Sequence, residues 1–337
     1  MKRVVLALAL LASALTAADR AVAQEDTFKG KTVEVLVGFS PGGGYDTYAR
    51  ALAQFLGKHL PGQPTVIVKN MPGAGSVTLV NYLLNIAPKD GTVFGTFDQS
   101  LIVAPLFGGE LAKVDASKLS WVGSIAKGNT VCVTWHTSAV KTFDDLLKNR
   151  TVFGGTGRED VRYTQAAMLK NMFGADMKIV TGYKGSSDLR IAMERGEIDA
   201  TCGDSWTSLK STAADWLRDK KINLLVQFAI ESHPEIREVP LLMDKARTAE
   251  DKAALRLLFG AQIAGRPYAA PPGLPPERLQ TLRAAFDATM KDPEFFAFTD
   301  KAKLEVDPVT GQEIEAAVRE IYGTPPEVVA RAKVIRD

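Results

Sequence analysis

Two cysteines and three histidines are all that 337 residues offer a soft metal ion. His59, His136 and His233 stand apart; the one cysteine at a helical interval is Cys132, four residues before His136 in a strand-like run, and a single pair falls short of the spacing of a zinc site. No apolar run reaches the roughly 20 residues of a membrane-spanning helix. No glycine loop is followed by a Lys-Ser or Lys-Thr pair, and Gly-x-Gly-x-x-Gly occurs at no strand end, which removes the two common nucleotide-binding turns. Surplus charge of one sign is scarce too: 41 Lys and Arg face 39 Asp and Glu. That balance argues against nucleic acid or an anionic membrane as the main partner. No Pro/Ser-rich linker, internal repeat or low-complexity tract divides the chain.

The first 23 residues read as a secretion signal. Lys2 and Arg3 are followed by an apolar run from Val4 to Ala18, and Ala21-Val22-Ala23 offers a small-x-small cleavage site before Gln24. No cysteine follows the site, so a lipid anchor is not expected. The mature chain is expected to be soluble and exported, to the periplasm in a double-membraned bacterium. Losing Lys2, Arg3 and Arg20 against Asp19 brings the formal charge from +2 to about zero. In an oxidising compartment Cys132 and Cys202, each inside an apolar strand-like run, are either a disulfide or two buried thiols.

Strand-like and helix-like segments alternate, which predicts an α/β protein with mainly parallel sheets flanked by helices. Strands are expected at 33–38, 65–69, 93–97, 131–135, 151–154, 178–181, 200–203 and 224–228. Helices are expected at 46–59, 76–86, 143–149, 160–173, 187–195 and 208–220, then at 248–264, 276–291, 292–302 and 310–322. The strands fall into two groups. They suit two lobes, 24–123 with 226–337 and 124–225, between which the chain crosses over and returns, leaving a ligand cleft. Open sheets bind ligands beyond the carboxyl ends of their strands, and the informative loops fall there.

The most telling loop is Ser40-Pro41-Gly42-Gly43-Gly44-Tyr45-Asp46. A glycine triplet between a strand and a helix either turns its amides toward an anion, such as a carboxylate or phosphate, or forms a tight turn without a ligand. Asp46 either caps the helix, accepting from the N–H of Tyr48 or Ala49, or meets the ligand. Gly73-Ala74-Gly75-Ser76 repeats the glycine-to-helix theme, and Asp98 ends the third strand as a ligand contact for an amine or hydroxyl or as a cap. In Gly154-Gly155-Thr156-Gly157-Arg158, Arg158 either pairs with a ligand carboxylate or is tied up by Glu159 or Asp160. Tyr183 stands where it can close over a ligand, and Asp204 lies at the same edge. Candidate ligand-binding residues are therefore Phe39, Ser40, Gly42, Gly43, Asp46, Gly75, Ser76, Asp98, Gly157, Arg158, Tyr183 and Asp204. Gly38-Phe39-Ser40-Pro41-Gly42 also matches the Gly-x-Ser-x-Gly elbow of serine hydrolases. Pro41, however, has no N–H for an oxyanion hole, and late in the chain only His233 is on offer, between Ser232 and Pro234.

With these motifs in order, the chain resembles the substrate-binding receptors of tripartite tricarboxylate transporters, the Bug family. The resemblance rests on Phe39-Ser40-Pro41-Gly42-Gly43-Gly44 with Asp46 and Ala49-Arg50, on Asn70 with Gly73-Ala74-Gly75, and on Pro88-Lys89-Asp90-Gly91. Tyr183-Lys184-Gly185 and Gly196-Glu197-Ile198-Asp199 extend it. It implies a monomeric, type II-like periplasmic binding protein without cofactor or catalysis. Such a receptor closes two lobes over a small organic acid and passes it to membrane permease subunits. A ligand-sensing partner of a membrane sensor kinase is the alternative within the same fold. Asp98, Arg158-Glu159-Asp160 with Tyr163, and Ser205-Trp206 depart from the family pattern. They point to a carboxylate ligand with a donor group or ring elsewhere, read by Asp98 or Arg158.

Overall fold

The computed structural model describes residues 28–108 and 114–337; the signal sequence expected over 1–23 lies outside them. Two sheets organise the described residues. The first contains β1 (Thr32–Val37), β2 (Thr65–Asn70), β3 (Val93–Thr96), β4 (Ser120–Ser124), β10 (Pro267–Ala270) and β11 (Val309–Thr310), in the order β11-β4-β10-β3-β1-β2. The second contains β5 (Thr130–Trp135), β6 (Thr151–Gly154), β7 (Met177–Val180), β8 (Ala200–Ser205) and β9 (Ile222–Phe228), in the order β7-β6-β8-β5-β9. Both sheets are mixed. The β1, β2 and β3 strands run parallel, as do β6, β7 and β8; β10 and β11 run against the rest of the first sheet, and β5 runs against the rest of the second. Strands β4 and β5 flank the first crossing between the sheets, and β9 and β10 flank the second.

Register is what builds the site. Val37 lies opposite Asn70 on one side and Thr96 on the other, so the first three loops leave the sheet in one row. In the second sheet Gly154 lies opposite Val180 and Thr201, which puts the loops after β6, β7 and β8 in a facing row. Valines at 33, 35 and 37 are all fully buried. They pack beneath α1 (Gly44–His59), whose Tyr48, Ala49, Leu52 and Leu56 form one apolar stripe at helical spacing.

Three features were not legible as elements in the sequence. Strands β4, β10 and β11 are short, and β10 opens on a proline. The helix Pro326–Arg336 begins on the second residue of a Pro-Pro doublet that reads as loop, although proline suits a helix's first turn. The long helix expected over 248–264 is Ala249–Gly260 followed by a 3₁₀ turn. Cys132 and Cys202 are joined as a disulfide across the β5–β8 ladder, where a bulge shifts the register, and both are fully buried.

Candidate functional site

Asp46 holds the glycine loop in shape from beneath. Its carboxylate accepts the Gly42 N–H at 2.9 Å, a two-pronged contact from Arg50 at 2.8 and 2.9 Å, and the Asn70 amide at 2.8 Å. Asn70 also donates to the Phe39 carbonyl. Asp46 is thus not the cap expected at Tyr48 or Ala49; the helix starts at Gly43 without a side-chain cap, and Asp46 reaches backward instead. Burial alone would raise its pKa, but the Arg50 contact, the Gly42 N–H and Asn70 hold the carboxyl below its ordinary range. The folded chain therefore binds this proton less tightly than the unfolded one. The stability that follows is present at neutral pH and lost as pH falls below about 4. Asp46→Asn is expected to cost about 1–2 kcal/mol at pH 7. Urea unfolding at pH 7 and pH 3 checks this, because the gap between variant and parent should close in acid.

Across the seam the two rows of loops interlock. Ser40 N donates to the Lys184 carbonyl at 3.0 Å, Ser40 Oγ donates to Asp188 at 2.6 Å, and Ser187 Oγ donates to the Pro41 carbonyl at 3.0 Å. Glycines let the faces meet. A Cβ at Gly157 would lie 2.7 Å from the Ala74 carbonyl carbon and 2.8 Å from Gly75 N, and one at Gly75 would lie 2.7 Å from Asp160 Cβ. Gly43 faces Ser186, and Gly44 faces Ser208 and Arg266. The glycine triplet expected to cradle an anion is packed in this closed form against the opposite lobe. The second loop carries strain at the same place, with Ala74, Gly75 and Ser76 at φ of 46°, 61° and 76°. Left-handed backbone costs about 1–2 kcal/mol at an L-residue with a Cβ. Ser76 spends its hydroxyl on that geometry, donating to the Gly38 carbonyl and accepting the Asp98 N–H.

Between the lobes lies a cavity of about 20 Å³, lined among others by Tyr45, Gln99, Arg162, Asp204, Ser208 and Arg266. By that measure it has room for one or two waters. Its charged wall is buried: Arg162 is 5 %, Asp204 6 % and Arg266 6 % exposed. Arg162 donates to Ser186 Oγ at 2.7 Å and meets Asp204 at 3.5 Å. Burial would lower its pKa, but Asp204, Asp160 and Asp98 hold it above the ordinary value. Arg266 has no carboxylate partner among the described residues. It donates to the Gly265 carbonyl and, across the cleft, to Ser208 Oγ, while its guanidinium lies 4.7 Å from the Tyr45 ring centre and 5.1 Å from that of Tyr48.

Asp98 stands just behind this wall, fully buried. Its Oδ1 caps the following 3₁₀ turn by accepting the Ser100 N–H and hydroxyl. Burial, with Asp160 adding to it, pushes the carboxyl up to about 6, against the pull of Ser100 and Arg162. Arg158 points outward over the Tyr163 ring, while Glu159 pairs with Arg336 and Asp160 caps the next helix. Phe39 stacks on Tyr45 at 4.9 Å, Gly42 is exposed in a left-handed turn, and Tyr183 packs with the second lobe's apolar cluster. Of the candidates read from sequence, Asp204 thus lies on the cavity wall, Ser40, Gly43, Gly75 and Gly157 form the seam, and Arg158 stands outside. Arg162 and Arg266 were missed. One sits in the first turn of a helix and the other between Gly265 and Pro267, where a lone arginine reads as solvent-facing.

A serine nucleophile finds no support in the geometry, because the hydroxyl of Ser40 meets Asp188 and Ser187, while His59 pairs with Asp292 and His233 caps Glu235.

Residues 48–323 match the model of the tripartite tricarboxylate transporter family receptor. A UPF0065 protein of Cupriavidus necator is 24 % identical over 286 residues, 83 % of this chain and 80 % of the relative. Among solved structures, the periplasmic binding protein BugD superposes with a TM-score of 0.71 at 18 % identity, covering 91 % of this chain and 99 % of BugD. MatC from Rhodopseudomonas palustris with bound malate gives 0.69 at 19 % identity, covering 90 % and 98 %. An R. palustris protein with adipate gives 0.69 at 18 %, covering 89 % and 97 %. At these identities the superpositions establish the two-lobed fold.

Proposed function

This chain belongs to the tripartite tricarboxylate transporter receptor family, and from that premise we propose that it captures a small organic acid by lobe closure and delivers it to the permease subunits of such a transporter. The lobes are 24–123 with 226–337 and 124–225, and the protein acts in the periplasm, after its signal is removed, as a monomer without chemistry on the ligand. The observation that carries the reading is Arg266, 6 % exposed at the interlobe cavity, with tyrosine rings and hydroxyl or carbonyl oxygens for neighbours and no carboxylate paired with it among the described residues. A buried cation of this kind calls for a counter-charge, and a ligand carboxylate supplies it. Malate and adipate in the two R. palustris structures are acids of the same class.

Closure follows from the walls. Tyr45, Gln99 and Arg266 belong to the first lobe, and Arg162, Asp204 and Ser208 to the second, so a ligand touching both sets favours the closed form. The hinge lies at the crossings near 123–125 and 224–227. Thermal unfolding of the purified chain against mono-, di-, tri- and aromatic carboxylates and amino acids, with sugars as controls, tests the reading. A true ligand at a hundredfold excess over its dissociation constant stabilises the native state by about 2.7 kcal/mol. A selective upward shift with a carboxylate-bearing compound is expected; no shift with any of them overturns the proposal.

A further inference from the structure

Four buried polar atoms at and just behind the cavity have no partner: Nε of Arg162, Nε of Arg266, Oδ2 of Asp98 and Oε1 of Gln99. The first two are cationic donors and the other two are acceptors. Buried polar groups are almost always paired, so orphans of both kinds in one place are the imprint of a ligand that brings an acceptor and a donor together.

Charge gives the same answer. Arg162, Arg190 and Arg266 stand among Asp98, Asp160 and Asp204; Arg162 feels all three of these carboxylates, and Arg190 feels Asp204, Asp215 and Glu194. The cluster carries no net positive charge. A di- or tricarboxylate enclosed here would add two or three uncompensated negative charges where water is excluded; a ligand whose own charges cancel adds none.

The poles are separated across the cleft. Arg266 of the first lobe lacks a carboxylate, and Asp204 of the second has Arg162 at 3.5 Å as its side-chain partner. Ser208 and Ser186 hydroxyls now occupy the Nη atoms of Arg266 and Arg162. Neutral hydroxyls are the weaker partners and yield to a carboxylate, whose bonds are charge-assisted. The contact between Arg266 and Ser208 spans the two lobes, so opening the cleft exposes Arg266 to an incoming acid. The enclosed space of about 20 Å³ holds one or two waters, so a ligand enters only with the lobes further apart and the two hydroxyls displaced.

We propose that the site takes a compact zwitterion of the α-amino-acid type, its carboxylate on Arg266 and Arg162 and its ammonium on Asp204 and the side-chain oxygen of Gln99. This rests on the receptor reading above and specifies the ligand class of the same cleft.

Calorimetric titration with matched compounds tests it: L-alanine against propionate and ethylamine, and L-aspartate against succinate. In at least one set the amino acid is expected to bind at least about 100-fold more tightly than the analogue lacking the amine and, in the alanine set, the one lacking the acid. Asp204→Asn should erase that preference, weakening the amino acid about 100-fold while leaving the plain acid unchanged or tighter; Asp204→Glu should keep it. Arg266→Gln should weaken both. Melting curves without ligand identify any variant that fails to fold, and the wild-type comparison of matched compounds stands without the variants. Acids that bind as well as or better than their amino-acid partners overturn the zwitterion assignment and leave the receptor reading standing. Tightest binding of the bare amine overturns it as well, and no binding of any acid, amine or zwitterion overturns both.

Discussion

Gly157→Ala is expected to weaken ligand binding about 100-fold while changing the stability of the ligand-free chain by less than about 1 kcal/mol. The added methyl meets backbone, 2.7 Å from the Ala74 carbonyl carbon and 2.8 Å from Gly75 N, and backbone on both sides of a strained left-handed turn cannot step aside cheaply. The clash exists only when the lobes meet, so the cost falls on closure. A ligand held by one lobe forfeits the charge-assisted bonds of the other, each worth about 1.5–3 kcal/mol, so losing one strong bond of this kind accounts for the expected loss of about 2.7 kcal/mol. Titration with the best compound from the unfolding screen measures the affinity, and small-angle scattering should find that the variant keeps its larger radius when ligand is added. Affinity and compaction like the parent's would show that this seam is not the closing surface.

Replacing both cysteines, Cys132→Ala with Cys202→Ala, is expected to lower the unfolding free energy by about 4 kcal/mol, roughly 6 °C in melting temperature. The bond joins residues 70 apart in sequence, so it removes much of the unfolded chain's freedom. It also ties β8 to β5 just before Gly203, a left-handed residue at φ 71°, and Asp204 on the cavity wall. Ligand affinity should therefore fall along with stability. Calorimetry of the double variant in oxidising buffer decides; a melting temperature within a degree of the parent's would mean that the cross-link contributes nothing to the folded state.

How much of this could be read from residues alone follows from the range of the interactions. The strands of the parallel cores were legible because β1 reads Thr-Val-Glu-Val-Leu-Val and β2, β6 and β8 end in Asn70, Gly154 and Ser205, all local signals. The loops at the strand ends were legible for the same reason. The role of their glycines was not. Whether Gly75 and Gly157 turn amides toward a ligand or admit another backbone depends on a partner 82 residues away in sequence, which no local pattern encodes. Arg266 was invisible for a related reason: its place is set by its own N–H donating to the Ala126 carbonyl and its carbonyl accepting from Ile125 at a crossing between lobes. Arg158, conspicuous in a glycine loop, turns away to Tyr163, while Arg162 four residues on takes the buried position. One turn of helix separates the two, and only the packed structure distinguishes them.

The last helix, Pro326–Arg336, gives the hinge a mechanical character. Near its end, Asn171 and Glu159 of the second lobe hold the Ile335 carbonyl and Arg336, while Arg331 and Lys333 grip Asp251 and the Phe107 carbonyl. In the closure proposed above, the two crossings of the chain serve as a pair of pins, and this helix is a strap laid beside them. A body pinned along two lines can both swing and twist; one strapped along a third has its twist restrained. The glycine faces on opposite lobes tolerate no sideways error of even a methyl group, so a restrained swing brings them back into register at each closing.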